Sequence, residues 1–382
     1  MKKFLVPALF AMALSMGFSS CSSDEPNNDD DTDAKELDYT ATYANSWHNY
    51  TVNVARLLKS DATKLYSAWT ESYNGGASYA TRFKTHSSGS GYTSALNCIE
   101  EIIGGCYDIA NEVGTAKIGD PYDLYMSGKK DEALYAVESW YSWHSRDDYR
   151  NNIFSVRNSY YGSLDGTVSS KSLSALMAQT NPSVDTKVKA AITAAADAIY
   201  NIPQPFRNHI NSTEAVAAMN ACADLSKVLD KDLRTAVESL SGYDTQFQAI
   251  VENYVDAVVL PTYKMLVERN EVLMQKVQAL NSNRTNSAFE SACDAWLNAR
   301  EPWEKSEAFL FGPVDALGLD PNMDSWPLDV DAIVAHLKSN NFADLEWDEN
   351  DSDAKIESAQ NIRGYHTLEF LLFKNGNPRT VQ

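Results

Sequence analysis

Positive charge is scarce in this chain. Lys and Arg together number 32 against 52 Asp and Glu, a formal net charge of -20. Such a balance argues against nucleic acid and against the anionic face of a bilayer, and it is permissive of cationic ligands. Cysteine is almost as sparse: beyond Cys21 there are only Cys98, Cys106, Cys222 and Cys293. They form no CxxC pair and sit among helical apolar residues, which excludes a disulfide framework or zinc knuckle and marks them as small buried hydrophobes. Strict two-residue alternation is nearly absent, so the chain offers little to a β-sheet. There is no HExxH, no inverted form of it, no G-x-S-x-G elbow, no P-loop and no Gly-rich dinucleotide turn in context.

What is present begins with a targeting pattern. Lys2 and Lys3 precede an apolar run from Phe4 to Phe18 and then Ser19-Ser20-Cys21. This is a lipoprotein signal over residues 1–20, with cleavage before Cys21 and lipid on its sulfur and new amino terminus. Residues 21–38 are Ser, Asn, Asp and Glu, including Asp29-Asp30-Asp31, with almost nothing apolar to bury. They read as a disordered tether. An acidic run directly behind the cysteine also resembles the surface-export signals of some outer-membrane lipoproteins. The folded part is therefore expected outside the cytoplasm, anchored to the outer membrane and facing the periplasm or the cell exterior.

From Tyr39 on, helical periodicity dominates and the fold class is all-α. Helices are expected over 39–69, 92–118, 129–143, 145–161, 183–202, 213–240, 243–280, 287–311 and 351–373. Ser145 followed three residues later by Asp148 has the form of a capping box, and Pro261 is expected to kink the long 243–280 helix. The sharpest interruption, Ile202-Pro-Gln-Pro-Phe206, divides the chain into bundles of about four helices over 39–204 and 205–382.

The stretch with the most chemistry is Asn361-Ile-Arg-Gly-Tyr-His-Thr-Leu-Glu-Phe-Leu-Leu-Phe373. Residues three apart share a helix face, so His366 and Glu369 project side by side from an apolar segment and need partners there. The plain reading is a satisfied core histidine with a nearby glutamate; the functional one is half of a binding site. Gly364, just before them, suggests a close backbone approach. Arg300, Glu304 and Glu307 lie among the aromatics of the 296–311 segment, and Ser142, Ser145, Asp147 and Asp148 among those of 139–148. Arg300 and Glu307, seven apart, can share a face, in the site or as a surface ion pair.

These elements resemble the imelysin family. Gly364-Tyr-His366-Thr-Leu-Glu369 resembles its GxHxxE motif, Trp296 to Pro313 resembles its W-x-x-AR element, with Trp303 where Tyr is more usual, and Trp326-Pro327 resembles its WP turn. The segments around Ile109 to Gly114 and Ser142-x-x-Ser145-x-x-Asp148 resemble elements that come after GxHxxE in typical members. Here they precede it, as in a circular permutation. The resemblance implies two similar four-helix bundles and a polar site between them. His366 and Glu369 would be its core and metal ligands, with Gly364, Arg300, Trp303 and Glu307 beside them and Ser142, Ser145 and Asp148 reaching it from the first bundle. It also implies a cell-envelope lipoprotein that binds iron, haem or a related small ligand in iron uptake. The alternative is a metallopeptidase using His366 and Glu369 as zinc ligands, because the family carries a peptidase label.

Overall fold

The computed structural model describes residues 37–86, 91–348 and 350–381. The signal, Cys21 and most of the acidic tether lie outside the described residues. From Asp38 on, the chain packs as one unit, built almost wholly of helices, with two two-residue antiparallel ladders.

Apolar residues recurring every three or four positions dictate the long helices. In α1 (Ala44–Thr70), Trp47, Tyr50, Val54, Leu58, Leu65 and Trp69 are fully or almost fully buried, a stripe that seats the helix against its neighbours. The other principal helices are α2 (Ala95–Glu112), α3 (Ser145–Tyr161), α4 (Pro182–Tyr200), α5 (Thr213–Lys227), α6 (Asp244–Tyr254), α7 (Leu260–Ser282), α8 (Asn286–Glu304), α9 (Leu319–Asp324) and α10 (Gly364–Leu372). Hydroxyl caps start several of them: Ser94, Ser212 and Thr285 accept the backbone N–H three residues on, satisfying donors the first turn leaves free.

The helices pack in two rings of four. One is α2, α3, α4 and α5, each touching the next and α5 returning to α2, with α6 against α2. The other is α1, α7, α8 and α10. The first ring is one continuous stretch of chain set between the first and second helices of the other. The Pro-rich stretch at 202–206, expected to divide two bundles, instead lies in the connection from α4 to α5 inside one ring, where the two helices pack on each other. The rings share a seam where α3 meets α8, and where α2 and α3 meet a 3-10 turn at Glu307–Phe309. At the other end Asp38 pairs with Lys374 at 2.8 Å and Arg379 at 3.3 Å.

Several local expectations shift. The 243–280 helix is continuous through a π-helical turn at Val255–Val259, and Pro261 sits at the start of α7; the wide turn absorbs the missing proline N–H. A second π turn, Val113–Lys117, carries the chain out of α2. The 351–373 segment is broken, with Asp353–Gln360 ending before α10 begins at Gly364. The 129–143 segment is helical only over Lys130–Ala136 and then turns through Ser139 and Trp143, both at positive φ. The capping box at Ser145 is not formed. Ser145 donates to the Glu138 carbonyl at 2.6 Å and Asp148 turns to Arg300, leaving α3 without a side-chain cap.

Candidate functional site: an acidic cavity on a buried charge cluster

Arg300, on α8 and wholly buried, is the hub of the seam. Its Nε donates to Asp148 Oδ2 at 3.0 Å and its Nη1 donates to Asp324 Oδ1. Its Nη2 lies 2.8 Å from Glu304 Oε1, at an angle that makes an ion pair but no hydrogen bond. Asp148 comes from α3, Glu304 from one turn further along α8, and Asp324 from the end of α9, so the guanidinium joins three separate elements. The three acidic groups Asp324, Glu304 and Asp148 around one cation more than offset the cost of burying it, and the guanidinium is held well above its ordinary pKa.

His366 stands behind Asp324. Its Nε2 is 3.2 Å from Asp324 Oδ1 and its Nδ1 2.9 Å from Glu369 Oε2. Burial and the Arg300 charge push the imidazole down, but Asp324 and Glu369 outweigh them and raise it to about 9. Nδ1 hydrogen-bonds Glu369, while Nε2 faces both Asp324 and, at 3.3 Å, the Arg300 Nη2, with the Trp326 ring packed against the imidazole at 4.8 Å between centroids. Glu369 also accepts the Ser142 backbone N–H at 2.7 Å, and Ser139 donates its hydroxyl to Asp148. Asp324, flanked by Arg300 and His366, is fixed as a carboxylate well below its usual range, and its second oxygen accepts the Trp303 indole N–H at 2.8 Å. Trp303 thus supplies a donor without a tyrosine hydroxyl.

Gly364 makes this arrangement fit. Its φ is +86°, and a Cβ there would lie 2.6 Å from the Met323 carbonyl oxygen. We expect Gly364→Ala to cost about 2–3 kcal/mol, from left-handed strain plus displacement of α9. Thermal denaturation measures it; a loss under about 0.5 kcal/mol would mean that the contact relaxes freely.

A cavity of about 290 Å³ opens beside the cluster, lined by Asp324, Glu307, Asp320, Glu112, Glu138, Lys117 and Trp326. Glu112, Glu307 and Asp320 also line a wider cleft of about 950 Å³, whose wall includes Glu100, Glu101 and Asp108 from α2. Neither His366 nor Glu369 lines either space; Asp324 stands between them and the cavity. Glu304, Glu307 and Asp324 each bring a carboxylate oxygen within 4.8 Å of the others. Burial and the surrounding carboxylates Asp148 and Asp324 lift Glu304 to about 8 against the pull of Arg300. Burial raises Glu307 well above its ordinary value against Lys117, with Glu304 adding to the rise. Asp320 reaches water through the cleft yet is walled by protein; that enclosure, with Asp324 and Glu112 near it, lifts it to about 7.

Of the residues marked from sequence, Arg300, Trp303, His366, Glu369, Asp148 and the Ser142 backbone meet in one buried cluster, and Glu307 faces the cavity. Ser145 sits one step away, holding the carbonyl of Glu138, whose carboxylate binds Lys117. Not marked as site residues were Glu304, Asp320, Asp324, Glu112, Glu138 and Lys117. The signal for Glu304 was its place four residues from Arg300, one turn along the same face.

Comparison with known proteins agrees with this architecture. The sequence model described as Imelysin matches residues 22–253 and 259–382. The chain belongs to the imelysin family. This imelysin is also similar to the crystal structure of an imelysin peptidase from Bacteroides ovatus. That match has 63% identity and a TM-score of 0.90, and covers 92% of this chain and 100% of that one. It is 33% identical over 138 residues to iron-regulated protein A of Synechococcus elongatus, a match that spans 35% of each protein. The all-α fold is thus that of an imelysin.

Proposed function

We propose that this imelysin is a cell-envelope lipoprotein, anchored through Cys21, that binds iron as cargo at the wall of the acidic cavity, with Glu307 and Asp324, which line it, and Glu304, buried next to them, as ligands. The observation that carries the reading is Glu307. Its residue is only 9% exposed, it faces the cavity, and among the described residues its carboxylate has neither a hydrogen-bond nor an ion-pair partner. A carboxylate this enclosed, open only toward the cavity and without a protein partner, is costly, and a cation beside it lowers the cost. The spacing suits one ion, since oxygens at about 2.0–2.5 Å from a metal are at most about 4–5 Å apart. An all-carboxylate set is a hard donor set, which favours iron or another hard cation over a soft one.

Haem is disfavoured as cargo, because the cavity walls are charged and offer no apolar slot for a macrocycle. A zinc hydrolase built on His366 and Glu369 fits less well. Both imidazole nitrogens face carboxylates already, and a zinc ligand must present a free lone pair. His366 instead positions Asp324 from behind, a role met among the outer partners of metal ligands. The circular permutation remains part of this reading, and the contact of Asp38 with Lys374 and Arg379 supports it, since permutation needs ends that lie together.

The test is metal retention. The mature protein, loaded with ferric citrate or anaerobically with ferrous iron and then desalted, is expected to hold about one iron per chain by elemental analysis. No retention under either loading would overturn the proposal.

A further inference from the structure

We infer that Lys117 is a tethered counter-ion of the cavity: its ammonium neutralises the cleft when no cation is bound and competes with the cation for the same carboxylates. This deepens the cation-binding reading and rests on it.

Lys117 is an unusual residue for its place. It is 7% exposed and ends the π-helical turn Val113–Lys117 that leaves α2. Its ammonium lies 2.9 and 3.1 Å from the two Glu138 oxygens and 3.8 Å from Glu112. It lines the cavity together with Glu307, Asp320 and Asp324, while Glu307 stays beyond ion-pair reach. A π turn inserts one residue into the helical ladder and rotates the residues after it, and such turns gather at functional sites. Here the rotation carries a lysine from the α2 face into the acidic seam.

The pairing has the geometry of a parked charge. Arg300 is locked by a rigid fork on three carboxylates, whereas Lys117 ends in a compact ammonium on a flexible stem, held by Glu138 at one edge of the cavity. A multivalent cation between Glu304, Glu307 and Asp324 would sit in the same low-dielectric space as this ammonium and repel it. Cation affinity is then the difference between what the carboxylates give the ion and what they already give Lys117.

The probe is terbium(III), a hard trivalent cation whose emission is sensitised by nearby indoles; Trp326 lines the cavity and Trp303 donates to Asp324. The mature protein is titrated with terbium chloride while tryptophan is excited. Lys117→Met is expected to bind about ten-fold more tightly or better, because a competing charge in a shared low-dielectric site is gone. Lys117→Arg is expected to stay within about three-fold of wild type, since the charge is kept. Arg234→Gln removes a cation that lines only the outer cleft, half-buried and already paired with Asp230, and is expected to change affinity less than about three-fold, because a partly solvated charge across the cleft is screened. Equal or weaker binding by Lys117→Met, or an equal gain in Arg234→Gln, would overturn the inference. If Lys117→Met does not fold, Glu138→Gln serves instead: it frees the ammonium toward Glu307 and should weaken terbium binding, and unchanged binding would overturn the inference. Sensitised emission that is the same in wild type and Glu307→Gln would show that terbium binds elsewhere, so the cation-site reading fails and this one with it.

Discussion

Replacing Arg300 by Met is expected to destabilise the protein by about 3–5 kcal/mol, the range for removing one partner of a buried ionic network. The guanidinium is the cation shared by Asp148, Glu304 and Asp324 on three separate elements. Its loss leaves three buried acidic groups facing each other with, among the described residues, only His366, beside Asp324, as a cation in direct contact. The pH dependence gives the sign. In the wild type Asp324 titrates well below its usual range, so its stabilising contribution is present above its unfolded pKa near 4 and fades only below that. In Arg300→Met the same carboxyl loses its main partner and moves up. The variant's deficit should therefore be largest near pH 8 and shrink toward pH 5 as the carboxyls protonate. Asp148→Asn in the same background should restore part of the loss, because groups in one network do not add independently. Chemical denaturation at pH 5 and pH 8 checks this, and a deficit below about 1 kcal/mol at both values would contradict it.

That network also shows where sequence reading carries and where it stops. The all-α class and the aromatic stripes were legible from helical spacing, and charges embedded among apolar residues singled out Arg300, Glu307 and Asp148 beside the His366–Glu369 pair, but only the resemblance to imelysins joined these five into one group. The meaning of the GxHxxE pair was not legible. Spacing puts His366 and Glu369 on one face of α10, but whether that face meets solvent or another helix depends on packing, and here it meets Asp324. Asp324 sits between the expected 287–311 and 351–373 helices, two residues before Trp326-Pro327; α9 there has only six residues, too few for periodicity to register. Lys117 was hidden by a different cause. On a regular helix extended to Ile118 its direction is set by a 3.6-residue repeat, and the π turn breaks that repeat in the final five residues. The division of helices into rings was illegible for a third reason. Which helices meet is decided by contacts across hundreds of residues, such as the α1 Trp47 indole N–H donating to the Leu371 carbonyl.

Glu307→Gln should separate binding from stability, moving them in opposite directions. On binding, it removes a charged ligand from a set of three. Losing even a group that stands behind a metal ligand costs up to about 100-fold in affinity, so a loss of roughly 100-fold or more in iron affinity is expected. On stability, the wild-type carboxyl is largely enclosed with no protein partner, and an amide of the same shape carries no charge to desolvate. The apo form of the variant should gain roughly 1–3 kcal/mol at neutral pH. The sign comes from the raised carboxyl. A group whose folded pKa lies above its unfolded value stabilises the fold fully below the unfolded pKa, about 4.3 for Glu, and that contribution is lost as pH rises toward the folded value. Wild-type apo protein should then weaken from pH 4.5 to pH 8 by more than Glu307→Gln does, and the two curves should converge at the acid end. Iron should restore wild-type stability near neutral pH and leave the variant unmoved, because a ligand stabilises only what it binds. Paired denaturation curves with and without iron test all of this. A variant less stable than wild type in the apo form would show that Glu307 holds the seam together structurally, whereas a more stable variant without iron affinity would mark it as a residue kept for its ligand.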